Sequence, residues 1–279
     1  MDKAIIFGMF DFVGFHVGKH LLNKGIEVNG VHIEKTNNIH FFDEKRLEVG
    51  RNANFLEQSV FEWENNHEKD LSNSRLILSI YDLFMLKKEQ ILQSDAVTRP
   101  IIQYIEDNKN KAHIVLILPI QMLTRTSMGN EIEGFLSKIM RLVKNTQLLY
   151  LPAIYGPWQP STFLFQQAIV SKYIKAELTN GEREWTNDVL FVEDAIESII
   201  EIIESGKPGR YLIASGKENH WYRCATYLNI DKNQLLINRS ATIYEDIPIE
   251  KVSVKNVSPI SDSIMTQMEQ VQRLYANRL

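Results

Sequence analysis

The stretch AIIFGMFDFVGFHVGKHLLNKGIEVNGVHI, residues 4–33, constrains the fold more than any other part of the chain. It reads as an apolar strand, a glycine-punctuated turn, an amphipathic helix and a second apolar strand, the opening of a βαβ unit. Gly8 ends the first strand and Gly14 falls in the first helical turn. There a missing side chain lets helix and sheet approach closely and leaves amide donors open to a pyrophosphate. Between them, where such a turn has a further glycine, stands Asp11. A carboxylate roughly 5 Å from a pyrophosphate repels it by about 3 kcal/mol at an effective dielectric near 20, a loss of over a hundredfold in binding. The same side chain is expected to cap the helix that follows, bonding amides that would otherwise meet phosphate.

The pattern repeats downstream. Apolar runs at Lys3–Phe7, Glu27–Ile33, Arg75–Ile80, His113–Pro119 and Gln147–Ile154 are nearly continuous, as in strands buried on both faces. Helical periodicity fills Val13–Asn23, Lys87–Glu106 and Asn130–Lys144. Strand and helix in alternation predict an α/β fold, a Rossmann-like doubly wound parallel sheet whose ligand crevice lies beyond the carboxyl ends of the strands. Residues 1–155 are expected to form the nucleotide-binding-type core. Residues 156–279 are expected to add the last core strands and a smaller C-terminal lobe of substrate-binding type.

Composition excludes several classes. The net charge is −4 with no long basic run, which argues against a nucleic acid partner. Cys224 is the only cysteine, so no internal disulfide or multi-cysteine metal site can form, and it is expected to be a packing residue; no metal site is expected from the seven histidines either. No leader-like N-terminus and no run of ~18 apolar residues is evident, so no membrane association and a cytoplasmic location are expected.

Four further segments carry a family resemblance: YGPWQP at Tyr155–Pro160, NDVLFVEDAIESII at Asn187–Ile200, GRYLIASGK at Gly209–Lys217, and VSPISDSIMTQMEQVQRLY before the C-terminus. With the opening turn they resemble the extended short-chain dehydrogenase/reductases, which include NAD-dependent epimerases and dehydratases of nucleotide sugars. The family's G-x-x-G-x-x-G turn maps onto Gly8, Asp11 and Gly14, and its ribose-binding acidic residue onto His32, with Glu34 two residues later. Its active-site lysine maps onto Lys138, but its tyrosine four residues earlier onto Gly134, which has no proton to give. Its strand-end hydroxyl falls among Leu118, Pro119 and Ile120, with no hydroxyl before Thr124.

The resemblance thus implies NAD(P) binding through Gly8, Asp11, Gly14, His32 and Lys138 that is vestigial or weak, so the cofactor is expected to be absent or weakly held. Lys138 is the residual catalytic candidate. Glu131 and Glu133 are expected to be surface carboxylates, Trp158, Trp185 and Trp221 packing residues, and Asp194 the cap of the helix after it. The reading is a binding, regulatory or assembly protein with a small-molecule or protein partner. The alternative is a divergent NAD(P)-dependent epimerase, dehydratase or reductase acting on a nucleotide sugar or another small metabolite. Ile132, Phe135, Leu136, Ile139, Met140, Leu142 and Val143 span an arc of about 160°, wider than the roughly 100° stripe that a helix needs to cover its own core. A homodimer through Asn130–Lys144 and Lys87–Glu106, the pair that resembles the family's intersubunit four-helix bundle, is expected to bury the surplus.

Overall fold

In the computed structural model, residues 1–33, 39–66, 73–109, 111–124, 130–174, 178–179, 183–230, 243 and 248–276 are described. The opening stretch forms β1 (Lys3–Phe7), α1 (Phe12–Asn23) and β2 (Glu27–His32). There follow α2 (Phe42–Val49), β3 (Phe55–Ser59), α3 (Val60–Asn66), β4 (Ser74–Ser79), α4 (Ile80–Met85), α5 (Asp95–Asp107), β5 (His113–Pro119) and α6 (Asn130–Leu142). The second half contains β6 (Thr146–Leu151), β7 (Ala153–Tyr155), α7 (Leu164–Val170), β8 (Val189–Phe191), α8 (Val192–Ser205), β9 (Gly209–Ala214), α9 (His220–Tyr227), β10 (Glu250–Ser253) and α10 (Ile260–Ala276).

Eight strands make one parallel sheet in the order β3-β2-β1-β4-β5-β6-β9-β10, and β7 and β8 pair separately. The Rossmann-like doubly wound fold is as expected. Strand order reverses between β1 and β4, where Phe7 lies in register with Val31 on one side and Leu78 on the other. That reversal opens the crevice in which such sheets bind ligands. Both α1 and α4 start there, so their N-termini meet at the switch point.

Several elements differ from expectation. The single helix expected over Lys87–Glu106 is broken: Lys87 is left-handed at φ 58°, a 3-10 turn covers Glu89–Gln93, and Ser94 is extended before α5 begins. The Thr98 hydroxyl donates to the Leu92 carbonyl across this break, at 2.8 Å. The strand expected over Gln147–Ile154 splits at Pro152, which has no N–H for the ladder, and β7 then leaves for its own pair. The strand β3 was not anticipated, because it is a sheet edge whose exposed and half-buried positions give no sustained apolar run.

Within α6 the broad apolar arc is largely covered by the chain itself. Ile132, Phe135, Ile139 and Val143, just past its end, are buried, Leu136 and Leu142 half-buried, and Met140 is 41% exposed. Among the described residues no helix is long and apolar enough to cross a membrane.

At Gly14 the start of α1 approaches the end of β1 closely: an added Cβ would stand 2.2 Å from the carbonyl oxygen of Gly8, just past the strand. Gly14→Ala is therefore expected to cost about 1–3 kcal/mol through forced separation of α1 from β1. Urea denaturation checks this, and an unchanged midpoint would contradict it.

Candidate functional site

The turn between β1 and α1 is tightly wired. Gly8 adopts φ 78°, its amide donates to the Val31 carbonyl at 3.0 Å, and the Asp11 amide returns to the Gly8 carbonyl at 3.0 Å. Asp11 lies directly over Gly8: a Cβ there would be 2.7 Å from Asp11 Oδ2. Asp11 occupies the cap position of α1, yet its side chain makes no capping hydrogen bond, contrary to expectation.

The capping carboxylate comes from elsewhere in the sequence. Asp82, in the first turn of α4, accepts hydrogen bonds from the Val13 amide at 3.0 and 3.1 Å and from the Gly14 amide at 3.1 Å. The Ser79 hydroxyl donates to the same carboxylate at 2.7 Å. Asp82 is 1% exposed, so these bonds form without water, where charged hydrogen bonds are worth about 1.5–3 kcal/mol each. The adjacency of β1 and β4 puts it there: two helices starting from neighbouring strand ends bring a side chain of one to the amides of the other.

A buried cation balances it. Lys45 of α2 is 2% exposed, and its ammonium donates to the Phe10 carbonyl inside the turn at 2.6 Å. Burial lowers its pKa to about 8, against the opposing pull of Asp11, Asp82 and Glu48. Burial likewise raises the Asp82 carboxyl, opposed by the Ser79 hydroxyl, the Val13 and Gly14 amides and the Lys45 charge. Apolar side chains close the rest. Met9 fills the space above Gly18 and Gly30, where a Cβ would stand 2.3 and 2.6 Å from it. The Phe10 ring meets Phe42 and Phe55, and Trp158, itself at φ 67°, packs on Phe15 and Phe41.

This arrangement does not fit the pyrophosphate of a dinucleotide. The amides at the start of α1 that would receive it already hold Asp82, and Asp11 adds a second carboxylate over Gly8. The other cofactor candidate, His32, sits half-buried at the end of β2 against the Phe42 ring, and Glu34 lies outside the described residues.

On the side expected to hold the chemistry, Lys138 and Gly134 are exposed on α6. Among the described residues, nothing lies within 4 Å of where a Cβ at Gly134 would stand, so close packing does not explain the glycine. Leu118 and Ile120 are buried, and the Thr124 hydroxyl is turned back to the Gln121 carbonyl at 2.7 Å. Glu131 is half-buried and Glu133 exposed.

Sequence reading missed the group beside this strand end. Arg183 makes a two-pronged ion pair with Glu89 at 2.8 Å for each prong, lies 4.6 Å over the Phe84 ring, and accepts at its carbonyl from Gln121. No local motif joins residues this far apart. Asp194 is not a cap: Phe191 holds that position of α8, and the Asp194 carboxylate takes the Ser258 amide at 2.9 Å and hydroxyl at 2.6 Å, pinning the approach to α10. Trp185 and Cys224 are buried, and Trp221 is buried against Phe165, all as packing residues.

His16 and His20 are also missed features, and their signal was available, since they stand four apart on α1. Among the described residues no group of three or more potentially metal-ligating side chains gathers. His16 donates from Nε2 to the Pro157 carbonyl at 2.8 Å, because a carbonyl only accepts, and burial pushes its pKa down to about 4. The unfolded imidazole titrates near 6.5, so between those values the unfolded state binds the extra proton. The His16 contribution is full above pH 6.5 and falls away as the pH drops toward 4, by about 3 kcal/mol in all. Urea midpoints at pH 7 and pH 5 are expected to show a loss in the wild type that is smaller in His16→Gln; equal losses would contradict this assignment.

No family model matches the chain, and no curated protein sequence matches it. Solved structures do. UDP-glucuronic acid 4-epimerase from Bacillus cereus, in complex with NAD, superposes with a TM-score of 0.68 at 15% identity, over 98% of this chain and 99% of that one. TunA, an NAD-dependent NDP-hexosamine 5,6-dehydratase of tunicamycin biosynthesis, gives 0.64 at 14% identity over 98% of both chains. Bordetella bronchiseptica WbmH, in complex with NAD+, gives 0.64 at 13% identity over 98% and 99%. The fold is thus that of NAD-dependent nucleotide-sugar epimerases and dehydratases along nearly the whole chain.

Proposed function

We propose that this chain is a binding or regulatory protein built on the epimerase/dehydratase fold without that fold's oxidoreductase chemistry. One observation carries the reading: the Asp82 carboxylate occupies the Val13 and Gly14 amides from inside the protein. Gly134 in place of a proton donor and the inward-turned Thr124 hydroxyl support it. A second reading is favoured by the neighbours, whose structures contain NAD: a divergent NAD(P)-dependent epimerase, dehydratase or reductase, with Lys138 as its retained active-site residue.

Calorimetric titration separates the two. The wild type is expected to bind NAD or NADP no more tightly than the high micromolar range and to turn over no nucleotide sugar with either. Asp11→Gly is expected to tighten binding by removing the carboxylate over Gly8. A low-micromolar dissociation constant for the wild type, or turnover abolished by Lys138→Ala, would establish the second reading.

We further propose that the chain assembles as a homodimer through α6 and α5, where exposed Met140 and half-buried Leu136 and Leu142 remain to be covered. Light scattering at micromolar concentration is expected to give about twice the 32.4 kDa chain mass, reduced by Met140→Arg. A mass near that of one chain would reject the dimer.

A further inference from the structure

The outer face of α1 borders a groove of about 390 Å³, closed by α8, α10, the end of α2 and the Pro157–Trp158 loop. It belongs to the helical layer and shares Trp158 with the cover of the Gly8 turn. Its most informative group is Gln270 of α10, which is 3% exposed. Gln270 Oε1 accepts the Trp158 amide at 2.6 Å, which fixes the orientation of the side chain. Its Nε2 is then left buried without a partner among the described residues. A buried donor without an acceptor costs about 1–3 kcal/mol, a cost that an oxygen entering the groove would offset.

The charges around the groove select the rest of that ligand. Lys19 and Glu48 neutralise each other at 2.6 Å. His16 and His20, both lowered by burial, add no charge near neutral pH. What remains is one cation, Arg273, and two anions, Glu193 and Glu197, all exposed, with no ion pair to any of them among the described residues. Arg273 stands three residues after Gln270 on α10, so guanidinium and amide share one face as a carboxylate-binding edge. Glu193 and Glu197 stand four apart on α8, which spaces their side chains on the order of 6 Å along the opposite wall. Ile196, itself buried, also lines the groove.

We propose that this groove binds a basic α-amino acid, its carboxylate held by Gln270 and Arg273 and its two cationic groups by Glu193 and Glu197. One negative and two positive ligand charges balance one positive and two negative protein charges. Neither the nucleotide turn nor the fate of the old chemistry enters this assignment.

The test is calorimetric titration of the full chain with L-lysine and L-arginine, with cadaverine, which lacks the carboxylate, and L-alanine, which lacks the second cation, as comparison probes. Arg273→Met and Glu197→Gln change exposed helix positions and leave the fold intact, which their melting curves verify. At least one basic amino acid is expected to bind in the micromolar to low millimolar range. Both variants are expected to weaken it by roughly tenfold or more, the size of one lost charged contact, and cadaverine and alanine to bind weaker by a similar factor. Absence of binding by both basic amino acids up to roughly 10 mM, an affinity unchanged in both variants, or cadaverine binding as tightly as lysine would each overturn the proposal.

Discussion

The hydrogen bonds from the Val13 and Gly14 amides to the Asp82 carboxylate are the interaction on which the rest of this molecule depends. A helix that begins at a switch point between parallel strands exposes unsatisfied amides and the positive end of its dipole. In a dinucleotide-binding protein a bound pyrophosphate answers that demand. Here a carboxylate of the chain answers it, and its burial in turn requires a buried cation. Lys45 supplies this and donates to the Phe10 carbonyl as well. Asp11 fits the same arrangement: with the α1 amides held by Asp82, the turn does not require a bare backbone at that position, and a carboxylate there adds to the field acting on Lys45.

The same replacement explains the aromatic density above the turn. Phe10, Phe15, Phe41, Phe42 and Trp158 are buried where the fold's switch point opens. An apolar cover over opposite buried charges that attract each other keeps water out and strengthens that attraction, whereas the same cover over a lone charge would be costly. The groove on the outer face of α1 has the opposite character. Its Glu193, Glu197 and Arg273 are exposed, and its buried Gln270 donor has no partner among the described residues. One helix thus carries a closed polar site at its N-terminus and an open one along its flank.

Much of the fold was legible in the sequence because parallel strands buried on both faces leave near-continuous apolar runs, as in Lys3–Phe7 and His113–Pro119. The edge strand β3 was not, since half of its surface faces solvent and its pattern is correspondingly weak. In the candidate site, the unusual residues were visible as substitutions, Asp11 and Gly134 above all, but their consequences were not. Asp82 lies about seventy positions from the amides it caps, and nothing around it marks a capping residue. Asp11 was expected in that role because it is local, and locality lost to topology: the start of α4 lies beside the start of α1, and Asp11 instead lies over Gly8. Asp194 was misread for the same reason, as its partner Ser258 is equally remote.

Hydrogen exchange of the individual backbone amides tests the central claim most directly. If Asp82 is the resident anion of the turn, the Val13 and Gly14 amides are strongly protected in the protein alone, keep their exchange rates when NAD is added, and lose protection in Asp82→Asn. Fast exchange of those two amides in the protein alone, slowed by NAD, would contradict it, because the turn would then be an open dinucleotide site awaiting its ligand.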